Sequence, residues 1–203
     1  MCCEARLRGA WRREVGPDAT AVARARRAPG CAPLALRVRC LPEHVIALGI
    51  APGLRALGYS VLHFNGAPRA ELLDSDVLHA GRGITVRDAI DAARRIHSHR
   101  LILDVVLQRN PPAVMVLGPQ AESSEPPEHV AVIRLGLMAL GQAFKVEVID
   151  LHDVAALYAA LGIENVKGLA PCLRAAVAGP AVVRDRRILF ATAAAVAGSI
   201  SRR

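Results

Sequence analysis

Lysine is almost missing from this chain. Among 26 basic residues only Lys145 and Lys167 are lysines, so the net charge of +8 and the isoelectric point near 10.1 rest on arginine. That balance favours anionic partners such as DNA, RNA or an acidic membrane surface. A GC-rich genome inflates arginine and alanine in the same way, and composition alone leaves both readings open. Paired cysteines are also missing. Cys2, Cys3, Cys31, Cys40 and Cys172 form no C-x-x-C pair and no regular spacing, which argues against a thiolate metal site and a disulfide framework. Free thiols in a reducing compartment are expected, and no chemistry is assigned to them. No apolar run reaches the roughly 18–20 residues of a membrane span, and Ala191 to Ala197 reads as a buried helix segment. What is present, 53% hydrophobic and 22% charged residues in 203, suits one well-packed domain with tails.

Residues 1–40 stand apart. Arg6, Arg8, Arg12, Arg13, Arg24, Arg26, Arg27, Arg37 and Arg39 face only Glu4, Glu14 and Asp18, and Pro17, Pro29, Gly30 and Pro33 interrupt any long helix. An Arg-rich, acid-poor start has the bias of an organelle transit peptide, and the shortage of serine argues against a chloroplast one. A mitochondrial targeting segment or a disordered basic arm is expected here, with an upstream extension from a misplaced start codon as a further reading.

The chain is organised around Val45 to Leu62. A continuous apolar run ends at Pro52-Gly53, and a second run then alternates with small or polar residues, the pattern of a buried strand turning into its antiparallel neighbour. Gly49-Ile50-Ala51-Pro52-Gly53, with Gly58-Tyr59 beyond, resembles the opening of RuvC-type Holliday-junction resolvases, RNase-H-like nucleases whose first strand ends in Gly-Ile-Asp-Pro-Gly. The resemblance implies an α/β fold, a mixed five-stranded sheet flanked by helices, over residues 44–200. It also implies a Mg²⁺-dependent crossover junction endodeoxyribonuclease that works as a dimer on branched DNA.

Onward from the hairpin, Asn65-Gly66-Ala67-Pro68 marks a turn and Ala70 to Leu78 another strand. Ala80 to Thr85 resembles the family's third-strand region, with Thr85 as a cap and Asp88 three residues on. Asp88 to Gln108 has helical spacing. Its Arg94, Arg95 and Arg100 read either as phosphate contacts or as a solvated face, and His97 and His99, two residues apart, make a poor metal pair. Pro111-Pro112 stops that helix, and Ala113 to Leu117, apolar throughout, is a central strand covered on both faces. Val130 to Phe144 is a second helix, whose Arg134 to Gly141 segment is similar to a small-residue helix that resolvases pack over the sheet. Lys145 to Leu151 alternates as the last strand. His152 and Asp153 can cap a helix from Val154 to Leu161, which Gly162 ends. Lys167 to Ala178 is expected as a helix broken at Pro171, where resolvases place a helix beside DNA, with Lys167 and Arg174 its only cations. Val182 to Ile200 is the final helix.

The resemblance also fixes where metal ligands should stand, and this chain departs from the pattern at each place. Ala51 replaces the Asp that closes the first strand. Gly118 falls at the Glu that closes the central strand, and Arg187 and Phe190 fall at the two ligands of the final helix. A methyl group, a hydrogen, a guanidinium and a phenyl ring offer no hard oxygen to Mg²⁺. Two-metal phosphodiester hydrolysis needs several converging carboxylates. Glu122 and Glu125 lie in a Ser/Pro-rich loop, and Asp185, flanked by arginines, reads as a cap or salt-bridge partner.

The expectation is therefore a hydrolytically dead RuvC-like domain with no cofactor, kept for binding or assembly. Its partner would be branched DNA or structured RNA, or other subunits of a mitochondrial ribonucleoprotein such as the mitochondrial ribosome; a homodimer is compatible and a membrane partner is not expected. Arg94, Arg95, Arg100, Lys167 and Arg174 are the candidate nucleic-acid contacts. The competing reading is an active resolvase that binds Mg²⁺ through the displaced carboxylates Glu122, Asp153 and Asp185, with cytoplasm or nucleoid as the alternative location.

Overall fold

A computed structural model describes residues 44–79, 89–121, 126–179 and 185–201. The 1–40 segment, the Ala80 to Thr85 piece, Asp88, Glu122 and Glu125 lie outside the described residues. Six strands and five helices are described: β1 (Val45–Ala51), β2 (Ala56–Phe64), β3 (Ala70–His79), α1 (Ala89–Arg109), β4 (Val114–Leu117), α2 (Pro127–Ala143), β5 (Glu147–Asp150), α3 (Val154–Leu161), α4 (Val166–Ala176), β6 (Val177–Ala178) and α5 (Arg186–Ser201). The sheet order is β5-β4-β1-β2-β3-β6. β1, β2 and β3 form an antiparallel meander, with Ile50 opposite Tyr59 and Ala51 opposite Gly58, whereas β4 runs parallel to β1 and β5 parallel to β4.

Period-two alternation sends successive side chains to opposite faces of the sheet. On β1, Leu48 and Ile50 join Leu57, Tyr59, Val61, Met115 and Leu117 beneath α1 and α2, which contribute Leu103, Leu107, Ile133 and Leu137. Ala47 and Ala51 face the other way with Leu62, Phe64, Val114 and Val116, against α5, α3 and α4. β4 is buried at all four positions, as a strand covered on both faces must be.

α5 is the helix that positions the site. It lies across β1, β2 and β4 with every residue from Phe190 to Ser199 buried, and the contact is between backbones. A Cβ placed on Gly49 would sit 2.8 Å from Ala195 N and 2.9 Å from Ala191 C, and closer still to Ala191 O. One on Gly58 would sit 2.6 Å from Arg187 C. Small residues on both sides allow the approach, and a hydroxyl pair is sealed inside it. Thr192 donates to Ile188 O at 2.8 Å and lies 3.0 Å from Ser60 Oγ, both side chains fully buried.

Three expectations are corrected. The sheet has six strands, because Val177 and Ala178 leave the helix and pair in parallel with Ala70 and Glu71. Pro171 does not break its helix: α4 runs from Val166 through Ala176. The missing N–H removes one intrahelical bond, and burial of Leu169, Cys172, Leu173 and Ala176 holds the segment helical. Arg95 is interior, only 6% exposed, with Nη1 donating to Leu54 O at 3.2 Å; it ties α1 to the β1–β2 turn and offers no surface to a phosphate.

Candidate functional site

The positions to be tested sit where β1 and β4 end against the start of α5. Ala51 is 1% exposed and packs in the same cluster as Phe190, also 1% exposed. Gly118 follows β4, donating its N–H to Ile50 O at 2.7 Å. A Cβ there would meet Ala194 Cβ at 2.9 Å and Phe190 O at 3.4 Å. Arg187, in the first turn of α5, lies against Gly58. The tertiary structure thus gathers Ala51, Gly118, Arg187 and Phe190 at one end of the sheet and fills the space between them with apolar side chains and α5 itself.

Three described carboxylates, Asp185, Asp153 and Asp150, are engaged. Asp185 accepts the Arg187 N–H at 2.7 Å as an N-cap, and its other oxygen lies 3.6 Å from Arg187 Nη1. Asp153 caps α3, accepting from Ala155 N at 2.9 Å. Asp150, at the end of β5, pairs with Arg134. Among the described residues no group of three or more His, Cys, Asp or Glu side chains could hold a metal ion. Among the described residues the Mg²⁺ pair of a RuvC-type nuclease finds no fit: at the four positions that the resemblance assigns to its ligands stand a methyl group, a hydrogen, a guanidinium and a phenyl ring.

Arg134 is the residue that sequence reasoning missed. It reaches from α2 to the end of β4, donating from Nη1 to Gly118 O at 2.8 Å and from Nη2 to Leu117 O at 3.2 Å. Burial lowers its pKa from the usual guanidinium range to about 10, which leaves it cationic at neutral pH. The available signal was a lone charge in an otherwise uncharged run from Val130 to Phe144.

The expected nucleic-acid contacts do not form one patch. Arg94 and Arg100 are exposed on α1, with Asp91 at 3.6 Å and Asp104 at 3.9 Å respectively. Lys167 and Arg174 are exposed on α4, which packs on the opposite face of the sheet. Near Arg95, His99 is 1% exposed and its Nε2 has no hydrogen-bond partner. Burial first, then the Arg95 and His79 charges, hold its pKa down at about 4. His97, two residues earlier, faces solvent. Tyr59 donates to Asp74 Oδ2 at 3.2 Å, and burial together with that carboxylate raises its pKa.

The element order, the antiparallel β1–β2–β3 meander with parallel β4 and β5, and a final helix across the β1–β4 ends define a RuvC-type RNase-H-like fold. Solved structures carry the same fold. The chain is similar to Thermus thermophilus RuvC at 20% identity and a TM-score of 0.63, over 78% of this chain and 96% of that one. It is similar to T. thermophilus RuvC in complex with a Holliday junction substrate at 20% identity and 0.60, over 79% and 96%. The yeast mitochondrial Holliday junction resolvase Ydc2 matches at 14% identity and 0.54, over 83% and 86%. No protein-family model matches the chain, and no curated protein matches it by sequence. No helix among the described residues is long and apolar enough to cross a membrane.

Proposed function

We propose that this protein binds branched or structured nucleic acid without cutting it, as a binding or structural subunit rather than an enzyme. The observation that carries the reading is the convergence of Ala51, Gly118, Arg187 and Phe190 at the strand ends, with Phe190 buried and α5 seated on glycine backbone. Three of these side chains have no metal-binding atom, and the fourth carries a positive charge that repels a divalent ion. The excess of arginine supports an anionic partner. The similarity to RuvC with a junction and to a mitochondrial resolvase supports branched DNA as that partner and the mitochondrion as its location. Structured RNA within a mitochondrial ribonucleoprotein, the mitochondrial ribosome included, is the second form of the reading, favoured by the Arg-rich 1–40 segment. Exposed Leu101, Ile102 and Val105 on α1 support self-association.

The test is a four-way junction assay in Mg²⁺, Mn²⁺ or EDTA. Binding that weakens steeply with salt, persists in EDTA and yields no cleavage is expected. Metal-dependent cleavage abolished by Asp185→Asn would overturn the reading and restore the active-resolvase alternative. Co-sedimentation with ribosomal particles after organelle lysis, rather than junction binding, would select the RNA form.

A further inference from the structure

Arg134 is the charged group most deeply tied into the end of the sheet that faces the site. Its side chain is 11% exposed and contacts three different oxygen sources. Nη1 donates to Gly118 O at 2.8 Å, Nη2 to Leu117 O at 3.2 Å, and Nε to Asp150 Oδ2 at 3.4 Å, while Nη2 also pairs with Asp150 Oδ1. Two backbone carbonyls and a carboxylate are hard oxygen donors, the kind that divalent cations such as Ca²⁺ or Mn²⁺ collect. They converge at Gly118, one of the four emptied ligand positions. Here they are satisfied by a planar fork of N–H donors with a fixed positive charge.

We infer that Arg134 is a tethered cation that holds the oxygen-lined ends of β4 and β5 together in place of a diffusible metal ion, and that removing its guanidinium uncovers a cation site formed by Gly118 O, Leu117 O and Asp150. The inference rests on the metal-free reading of this mouth, but its test uses no nucleic acid, so failure of junction binding leaves it standing. The physical reason is the state of the oxygens. Without the guanidinium, Gly118 O loses the 2.8 Å donor and Leu117 O keeps only the Leu151 N–H at 2.8 Å. Asp150 is then left beside them as a carboxylate without its counter-charge. The two carbonyls lie behind a side chain only 11% exposed, where a lost donor is unfavourable, while Asp150, 35% exposed, is open to an incoming cation that can satisfy all three.

The experiment is thermal unfolding of the full chain and of Arg134→Ala and Arg134→Met, the latter keeping an aliphatic stem. Each is measured with millimolar Ca²⁺, Mn²⁺ or guanidinium, with choline chloride at matched ionic strength as the control. The wild-type Tm should move by less than about 1 °C with any of these, and both variants should melt roughly 5–10 °C lower. Ca²⁺, Mn²⁺ or guanidinium should return a saturable part of that loss, choline should return none, and Arg134→Ala/Asp150→Ala should lose the rescue. A wild-type rise as large as that of the variants would show a metal site independent of Arg134 and overturn the inference. So would variants that melt lower, or fail to fold, with no cation-specific recovery.

Discussion

Gly49→Ala adds one methyl group to the centre of β1, and the structure says where it must go. It would lie 2.8 Å from Ala195 N and 2.9 Å from Ala191 C, with Ala191 O nearer still. Unstrained contacts of carbon lie at about 3.5–4.0 Å. The three nearest atoms are all α5 backbone, so no rotamer change relieves that overlap and the helix itself must lift by about 1 Å or more. Lifting α5 loosens the buried face from Phe190 to Ser199, and a gap of that size forfeits about a quarter to a half of each dispersion contact. Overpacking a core by a methyl typically costs about 1–3 kcal/mol and occasionally more. Because the clash is with backbone, the expected loss is about 3 kcal/mol or above, a large share of a domain stability of roughly 5–15 kcal/mol. Urea unfolding followed by circular dichroism reads this directly. Gly162→Ala is the control: with φ at 69° and nothing within 4 Å of an added Cβ, it carries left-handed strain alone, about 1 kcal/mol. Should Gly49→Ala unfold no more easily than Gly162→Ala, α5 is not seated on the sheet, and the closed mouth inferred from that seat falls with it.

His99 makes stability pH-dependent. Its folded-state pKa of about 4 lies below the ordinary 6.5, so the unfolded chain takes up the proton first. The contribution is intact above about pH 6.5 and is lost progressively as pH falls toward 4, by up to about 3 kcal/mol. Urea midpoints across that window should flatten in His99→Leu, and an unchanged slope would refute the assignment. Asp185→Ala removes the α5 cap and the Arg187 pair and should destabilise by about 1 kcal/mol, whereas Asp185→Asn, which keeps a capping oxygen, should melt near wild type. Because Arg94 and Arg100 stand on one face of the sheet and Lys167 and Arg174 on the other, charge reversal at one pair should weaken junction binding and lower its salt slope by about 1 per lost phosphate contact. Equal losses from both pairs would argue against a single binding face.

Much of the fold could be read along the chain, because β1, β2 and β4 are written in local patterns. Continuous apolar runs, the Pro52-Gly53 break and the Gly58-Tyr59 restart specify neighbouring strands without help from distant residues. Asp153 and Gly162 announced both ends of α3 for the same reason: a cap is a contact within one turn. The residues at the four positions that the resemblance assigns to ligands were equally legible, since Ala51, Gly118, Arg187 and Phe190 are side-chain identities.

What only the tertiary structure decided are the contacts whose partners lie far off in sequence. Arg95 looks like any helix-surface arginine until Leu54, 41 residues away, accepts its hydrogen bond. Val177 extends a helix by local pattern and becomes a strand because Ala70 is there to pair with it. Arg134 is one charge on an apolar helix until the fold brings Leu117, Gly118 and Asp150 within reach of its guanidinium. By itself the sequence determined which atoms stand at the ends of the strands, because that is covalent. Whether those ends are open or closed was decided by how near α5 and Arg134 approach, a matter of packing across the whole chain.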